Sequence, residues 1–316
     1  MTDINREPYR KISVITPTFN RPRSALNTAI SVLADENPNL TYYLVDQDKT
    51  GTTEETVRQS GILRDDRFRY IFSEEAGECL ARNLGMKLAI KERGRQVLAG
   101  IDDDCIASGS WASRYLDKFN STTTDFHFGA MVKPQGIDGN VPQFRPGRDY
   151  VVNIEQQITT GLGMSGNFAI TSEVFNRVGH FDELLGCGTR IGAGDDQDYA
   201  IRVARAGGVI TAGEEPSVLH YGARVGSDDR ELRIRYAWGF SALAEKHKLY
   251  GDTLLTRKRN RMLKESVLES IRNAAKLQRP SGALTVAGIL KGIWIMRDYE
   301  PDPNAEPGTR ILRRKS

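Results

Sequence analysis

Short apolar runs alternate with helix-spaced patterns through the first hundred residues. The run Lys11-Ile-Ser-Val-Ile-Thr-Pro17 is rich in β-branched residues and stops at a proline, the pattern of a strand. Residues 24–33 then carry apolar positions at helical spacing. Tyr42-Tyr-Leu-Val-Asp46 predicts a second strand that closes on a carboxylate, residues 52–60 a helix, and Phe68-Arg-Tyr-Ile-Phe72 a third strand. A longer helix is predicted over 77–92 and a fourth strand over 96–101. Strands separated by crossover helices predict an α/β fold with a mainly parallel sheet covered by helices on both faces. In open sheets of this kind, ligands bind beyond the carboxyl ends of the strands. Three polar clusters fall at such ends: Pro17-Thr18-Phe19-Asn20, Asp46-Gln47-Asp48 and Asp102-Asp103-Asp104.

The pattern loosens further on. Residues 113–119 end a helix, and 126–133 read as one strand. Residues 134–162 are rich in Gly, Pro and charge with weak periodicity, as expected of a variable, loop-rich section. The small-residue loop Met164-Ser-Gly-Asn167 runs into a strand, followed by a helix over 172–178. Residues 209–212 and 217–221 are short late strands. Two long helices are predicted over 229–250 and 254–277, the second strongly basic. Residues 283–296 are almost all apolar but fewer than the ~20 needed to cross a bilayer, which fits a buried or interfacial helix. Residues 301–316, Pro-rich and charged, are expected to be disordered.

With 316 residues, 39% hydrophobic and 27% charged, the chain is an ordinary globular protein of one large or two smaller domains. Its start has no apolar core for a signal peptide, and Cys79, Cys105 and Cys187 have no metal-type spacing. A cytoplasmic protein is the expectation. Of 44 Lys/Arg and 41 Asp/Glu, fourteen and seven lie in residues 251–316, leaving 30 and 34 before them. The basic tail suits an anionic partner, whereas the slightly acidic remainder speaks against nucleic acid.

Candidate chemistry centres on the acidic triplet. Three adjacent carboxylates at a strand end repel one another unless a cation or several donors offset the charge. A divalent ion held against phosphates is one reading, and a solvated acidic turn with Asp104 capping the next helix is the other. No G-x-G-x-x-G follows the first strand and no G-x-x-x-x-G-K-[ST] occurs, so bound phosphates would need a metal and basic side chains. Asp46 suits a ribose hydroxyl or a base N–H. Arg82 is placed to meet a base or phosphate, or is a surface arginine. Asp195, Asp196 and Asp198 open a helix, where the dipole alone favours acids and where a general base would also fit. His220 is either a structural residue or a ligand, and Arg224 either steadies a diphosphate or is solvated.

Several stretches together resemble the family-2 glycosyltransferases of the GT-A fold. They are Ile12-Ser-Val-Ile-Thr-Pro-Thr-Phe-Asn-Arg21, the Val45-Asp46 strand end, Ala81-Arg82-Asn83-x-Gly85, the Asp triplet, Gly179-His-Phe181-Asp182-Glu183 and Gly194-Asp195-Asp196-Gln-Asp198. The second-strand signature departs from the family's Asp-Asp-Gly-Ser, reading Asp46-Gln47-Asp48-Lys49. The resemblance implies a Rossmann-like, mainly parallel mixed sheet flanked by helices, here with a helical C-terminal extension. Residues 1–228 would be the catalytic domain, with about 10–130 binding the nucleotide-sugar and about 131–228 supplying acceptor site and base. Residues 229–300 would be the extension. Pro17, Thr18, Asn20, Asp46, Asp48 and Arg82 would lie on the nucleotide-sugar. Asp102 would face the ribose, with Asp103 beside it, and Asp104 and His220 would hold a divalent ion, Mn²⁺ or Mg²⁺. Asp195 stands at the family's Glu position and Asp196 at that of the catalytic base.

The implied activity is a hexosyltransferase-like, inverting, metal-dependent transfer from a nucleotide-diphospho-sugar, UDP favoured, to a glycan or lipid-linked acceptor in polysaccharide biosynthesis. A sugar-phosphate nucleotidyltransferase would need a Gly-rich basic loop after the first strand, which Pro17-Thr-Phe-Asn-Arg-Pro does not resemble. A non-catalytic sugar-nucleotide or glycan-binding protein would have no use for Asp195-Asp196. The C-terminal helices are expected to meet an anionic membrane at its inner face, a second subunit of a homo-oligomer, or the catalytic domain.

Overall fold

The computed structural model describes residues 7–157, 162–222, 227–276, 281–305 and 309–315. The first half is built from β1 (Ile12–Thr18), α1 (Pro22–Leu33), β2 (Leu40–Asp46), α2 (Thr52–Ser60), β3 (Phe68–Phe72), α3 (Glu78–Arg93) and β4 (Val97–Ile101). Every residue of β1, β2 and β4 is buried, as expected of strands covered on both faces. These strands are parallel, and the register sets Thr18 beside Asp46 and Asp46 beside Phe72. The polar clusters therefore reach one edge together.

After the acidic triplet come β5 (Cys105–Ala107), α4 (Trp111–Ser121), β6 (Phe126–Phe128), β7 (Met131–Val132), β8 (Tyr150–Val151) and α5 (Ile154–Gln157). Then follow β9 (Asn167–Thr171), α6 (Ser172–Val178), α7 (Asp195–Arg205), β10 (Ile210–Ala212) and β11 (Val218–His220). The main sheet has the order β3-β2-β1-β4-β9-β6-β10-β8, with β9 antiparallel to both neighbours and β8 antiparallel at the edge. A second sheet, β5-β11-β7, stands beside it. The single strand expected over 126–133 is thus two, one in each sheet. The chain changes sheet at Gly129, where an added Cβ would lie 2.0 Å from Pro216 O.

Three helices close the chain: α8 (Ser227–Leu249), α9 (Leu254–Ala275) and α10 (Ser281–Ile295). Apolar residues of α8 and α9, including Leu243 and Leu255, join the same buried cluster as Phe168, Phe181 and Tyr199. These helices are therefore packed on the α/β part of the chain. On α10, Gly288 and Gly292 let two backbones approach. A Cβ at Gly292 would lie 2.3 Å from Trp238 O on α8.

The expectation of a disordered 301–316 is corrected for its described residues. β12 (Tyr299–Pro301) and β13 (Leu312–Arg314) form an antiparallel pair. Tyr250 Oη donates to Ile311 O over 2.5 Å, and Leu312 N donates to Asp182 Oδ2 over 3.2 Å. Ile311 and Leu312 are buried, and that apolar pair outweighs the polar composition around it.

Candidate active site

The three strand-end clusters are tied to one another. Thr18 Oγ1 donates to Asp103 Oδ2 over 2.7 Å, and Arg21 Nη1 donates to Asp103 Oδ1 over 2.9 Å. Both oxygens of Asp103 thus have protein donors, which makes it the anchor of the triplet to β1. The same Arg21 nitrogen lies 3.0 Å from Asp104 Oδ2. Asn20, just before it, takes the left-handed backbone conformation at φ 56° that turns the chain from β1 into α1, while Pro17 is buried within β1.

Asp46 is fully buried. Its Oδ2 accepts from Tyr70 Oη over 2.6 Å, and its Oδ1 from Asp48 N over 2.9 Å. Burial raises its pKa. Asp48 accepts from the Thr50 hydroxyl and amide and from Thr53, which lowers its pKa and caps the start of α2. Gln47 accepts from the amide of Gly77 and joins the end of β2 to the turn before α3.

Arg82 lies beneath the site. The expectation that it meets a base or phosphate directly is corrected, since its side chain is 1% exposed. The guanidinium donates to Glu78 over 2.6 Å and to Asp195 over 3.2 Å, and stands 3.6 Å from Asp102. The rings of Phe168 and Phe181 flank it, at 5.4 and 5.2 Å to their centroids. Its pKa is raised by Glu78 and Asp195 against the opposing effect of burial. Next to it, Asn83 bonds Phe181 through both amide and carbonyl, so α3 holds the Gly179–Glu183 segment.

Asp195 and Asp196 open α7. Asp195 is buried with Arg82, and burial, Glu78 and Asp196 all raise its pKa. Asp196, half-buried, accepts the amide of Gln197 through Oδ1, and burial with Glu78 pushes its pKa up to about 6. Asp198, one turn on, has a different part. It is fully buried and bonded to Arg202, Lys246 and His247 at 2.8, 2.7 and 3.0 Å.

At the other end of the triplet, β11 pairs with β5 so that His220 faces Cys105 in register. His220 Nε2 is then 3.4 Å from Asp104 Oδ1, while Nδ1 is 2.9 Å from Pro142 O. A carbonyl on Nδ1 requires that nitrogen to carry the proton, which leaves Nε2 aimed at the carboxylate. A Cβ at Gly222 would lie 2.6 Å from His220 Nε2 and 2.7 Å from Asp104 Oδ2, so glycine keeps this space open. Asp104, Cys105 and His220 lie close enough to share an ion. Burial and the three neighbouring carboxylates raise the Cys105 thiol far above its ordinary pKa, which leaves a carboxylate–imidazole pair suited to a hard divalent cation. Arg224 lies outside the described residues.

Asp102 is the most open of the triplet at 31% side-chain exposure, and it sits between Arg82 and the loop at Gly166. The structure thus brings Thr18, Arg82, Asp102, Asp103, Asp104, Asp195 and His220 into one connected group, with Asp196 adjoining. Asp46 and Asp48 stand at the neighbouring strand end with their oxygens engaged. Arg21 and Glu78 are central to the group; the sequence marked Arg21 only as the end of the first resembling stretch and gave Glu78 no part.

The sequence profile described as Glycosyl transferase family 2 matches residues 13–179, more than half of the chain. The match ends before Asp195 and His220. An uncharacterised glycosyltransferase of Rickettsia felis is 36% identical over 81 residues, which is 25% of this chain and 13% of that protein. This chain thus spans a small part of the length of that curated relative. Among solved structures, a mannosyltransferase, PcManGT of Pyrobaculum calidifontis in complex with GDP-Man and Mn²⁺, superposes with a TM-score of 0.60. It is 15% identical, over 92% of this chain and 90% of that one. TarS of S. aureus residues 1–349, in complex with UDP-GlcNAc, superposes with a TM-score of 0.50. It is 18% identical, over 73% of this chain and 66% of that one. At such identities the likeness is one of fold.

Proposed function

The chain belongs to glycosyl transferase family 2, with the GT-A fold, and on that premise we propose an inverting transfer from a nucleotide-diphospho-sugar, UDP favoured, to a glycan or lipid-linked acceptor hydroxyl. The observation that carries this reading is the Arg82 guanidinium, in reach of both Asp102 and Asp195. One buried cation fixes the acidic triplet and the acidic pair at a constant separation, as a single-displacement reaction between a donor and an acceptor requires.

In this reading the nucleoside lies over the ends of β1 and β2, against Pro17, Thr18, Asn20 and Tyr70, with Asp46 behind Tyr70 and Asp48 shaping the loop. Asp102 takes the ribose side and Asp103 keeps the triplet aligned. Asp104 and His220 hold a divalent cation, Mn²⁺ or Mg²⁺, which when bound supplies positive charge for the departing diphosphate. A relative of this fold in complex with Mn²⁺ supports that choice. Asp196 takes the proton of the acceptor hydroxyl as its oxygen attacks the anomeric carbon, and Asp195, locked to Arg82, orients it. Attack opposite the leaving diphosphate inverts the anomeric centre.

Asp196→Asn tests the assignment. It should lower kcat by ~10²–10⁴-fold while metal-dependent nucleotide binding persists. Loss of binding together with activity would remove Asp196 from the role of base.

A further inference from the structure

The outer face of α10 is exposed, with Arg190 over its Trp294 ring. Ala283, Ala287, Leu290 and Trp294 repeat there at helical spacing, opposite the glycines that meet α8, and Leu290 and Trp294 are 55% and 57% exposed. From Ser281 to Arg297 the chain has no acidic residue. Its two charges, Lys291 and Arg297, are exposed, and Lys315 reaches the carbonyl of Arg297 over 2.8 Å. None of these three cations has a carboxylate partner among the described residues, and the Lys291 ammonium lies over the Trp238 ring of α8 at 3.5 Å. The nearby acids Asp298 and Glu300 are taken by Arg190 and Arg313.

We propose that this face, with Trp294 at its centre and Lys291, Arg297 and Lys315 around it, seats the protein on an anionic lipid surface. An indole beside cations is the combination that settles at the headgroup level of a bilayer. No described helix is long and apolar enough to cross a membrane, so contact is in the interface plane. A two-fold pairing of two copies through the same face would set these cations against their own symmetry mates, which disfavours that occupant. The placement also bears on the acceptor. Arg190 lies over the Trp294 ring at 5.3 Å and stands five residues before Asp195, so a bilayer at Trp294 adjoins the loop that leads to the base. Only this last point rests on the transferase reading, and it narrows the acceptor to a lipid-linked one.

Co-sedimentation of the full chain with vesicles tests the proposal without donor or acceptor. Binding is expected on an equal mixture of phosphatidylcholine and phosphatidylglycerol, with weaker binding on phosphatidylcholine alone and release by salt. Lys291→Glu with Arg297→Glu should weaken binding by about fivefold or more per cation. Trp294→Ala should weaken it by ~10-fold, with an unchanged melting temperature as the check on folding. Asp196→Asn should bind as the parent does, so failure here and failure of the transfer assignment are separate results. Absent binding, equal binding to both vesicles, or variants that bind as the parent does would overturn the proposal. So would a lipid-free dimer that Trp294→Ala dissolves, since the face would then join two copies.

Discussion

Arg82 brings one positive charge into a space lined by Glu78, Asp102 and Asp195, with aromatic rings on either side. Three carboxylates against one guanidinium leave the group short of positive charge, and the raised pKa of Asp195 and Asp196 follows from that deficit together with burial. Asp196 sheds its proton around pH 6, so transfer should rise through that pH from the acid side and level off above it. Glu78→Gln removes a negative neighbour and leaves Arg82 charged, so the acid limb of kcat/KM should move to lower pH. A limb that stays in place would belong to another group. Asp102, Asp195 and Asp196 were legible in the sequence because each closes a strand or opens a helix. The burial of Arg82 was not, since a helical arginine reads the same facing water or facing Phe168. Asp46 and Asp48 show the converse. Their positions fit a nucleoside contact, yet their oxygens are spent on Tyr70 and on the start of α2.

At the scale of elements, α7 is set by what holds its first turns. Lys246 on α8 is fully buried and lies 2.7 Å from both Asp182 and Asp198. Lys246→Met would take away the cation shared by two buried carboxylates and should cost about 3–5 kcal/mol of stability in urea unfolding. Asp198 has a depressed pKa, mainly because Lys246 and Arg202 overcome the effect of burial. Its contribution to stability is therefore complete above the ordinary carboxylate range and is lost as pH falls below it. In the variant, this acid-side loss should shrink. The long, periodic elements were readable, with strands β1 to β4 and helices α8 to α10 near their predicted bounds. Of the small sheet, β11 was readable within 217–221 and β7 only as the end of a longer strand, while their pairing with β5 was not, because it joins segments far apart in the sequence.

At the scale of the whole molecule, the strand-end clusters, the acidic pair and the helical extension share one framework, so a ligand at the triplet should be felt globally. UDP with Mn²⁺ at a hundredfold excess over Kd should stabilise the chain by about 2.7 kcal/mol, read as a rise in Tm. Chelation should abolish the rise, and Asp104→Ala should reduce it in a way extra Mn²⁺ restores only in part. A rise indifferent to both would remove the metal from the site. Fold class was legible here from the alternation of strands and helices. The packing of the C-terminal helices on the α/β part of the chain was not, because apolar faces show that something covers them without showing what.

The bond from Leu312 to Asp182 spans 130 positions. Asp182 is thus completed by a strand drawn from far along the sequence, so the charge cluster beneath α7 is held from two directions, by Lys246 on α8 and by the backbone of β13.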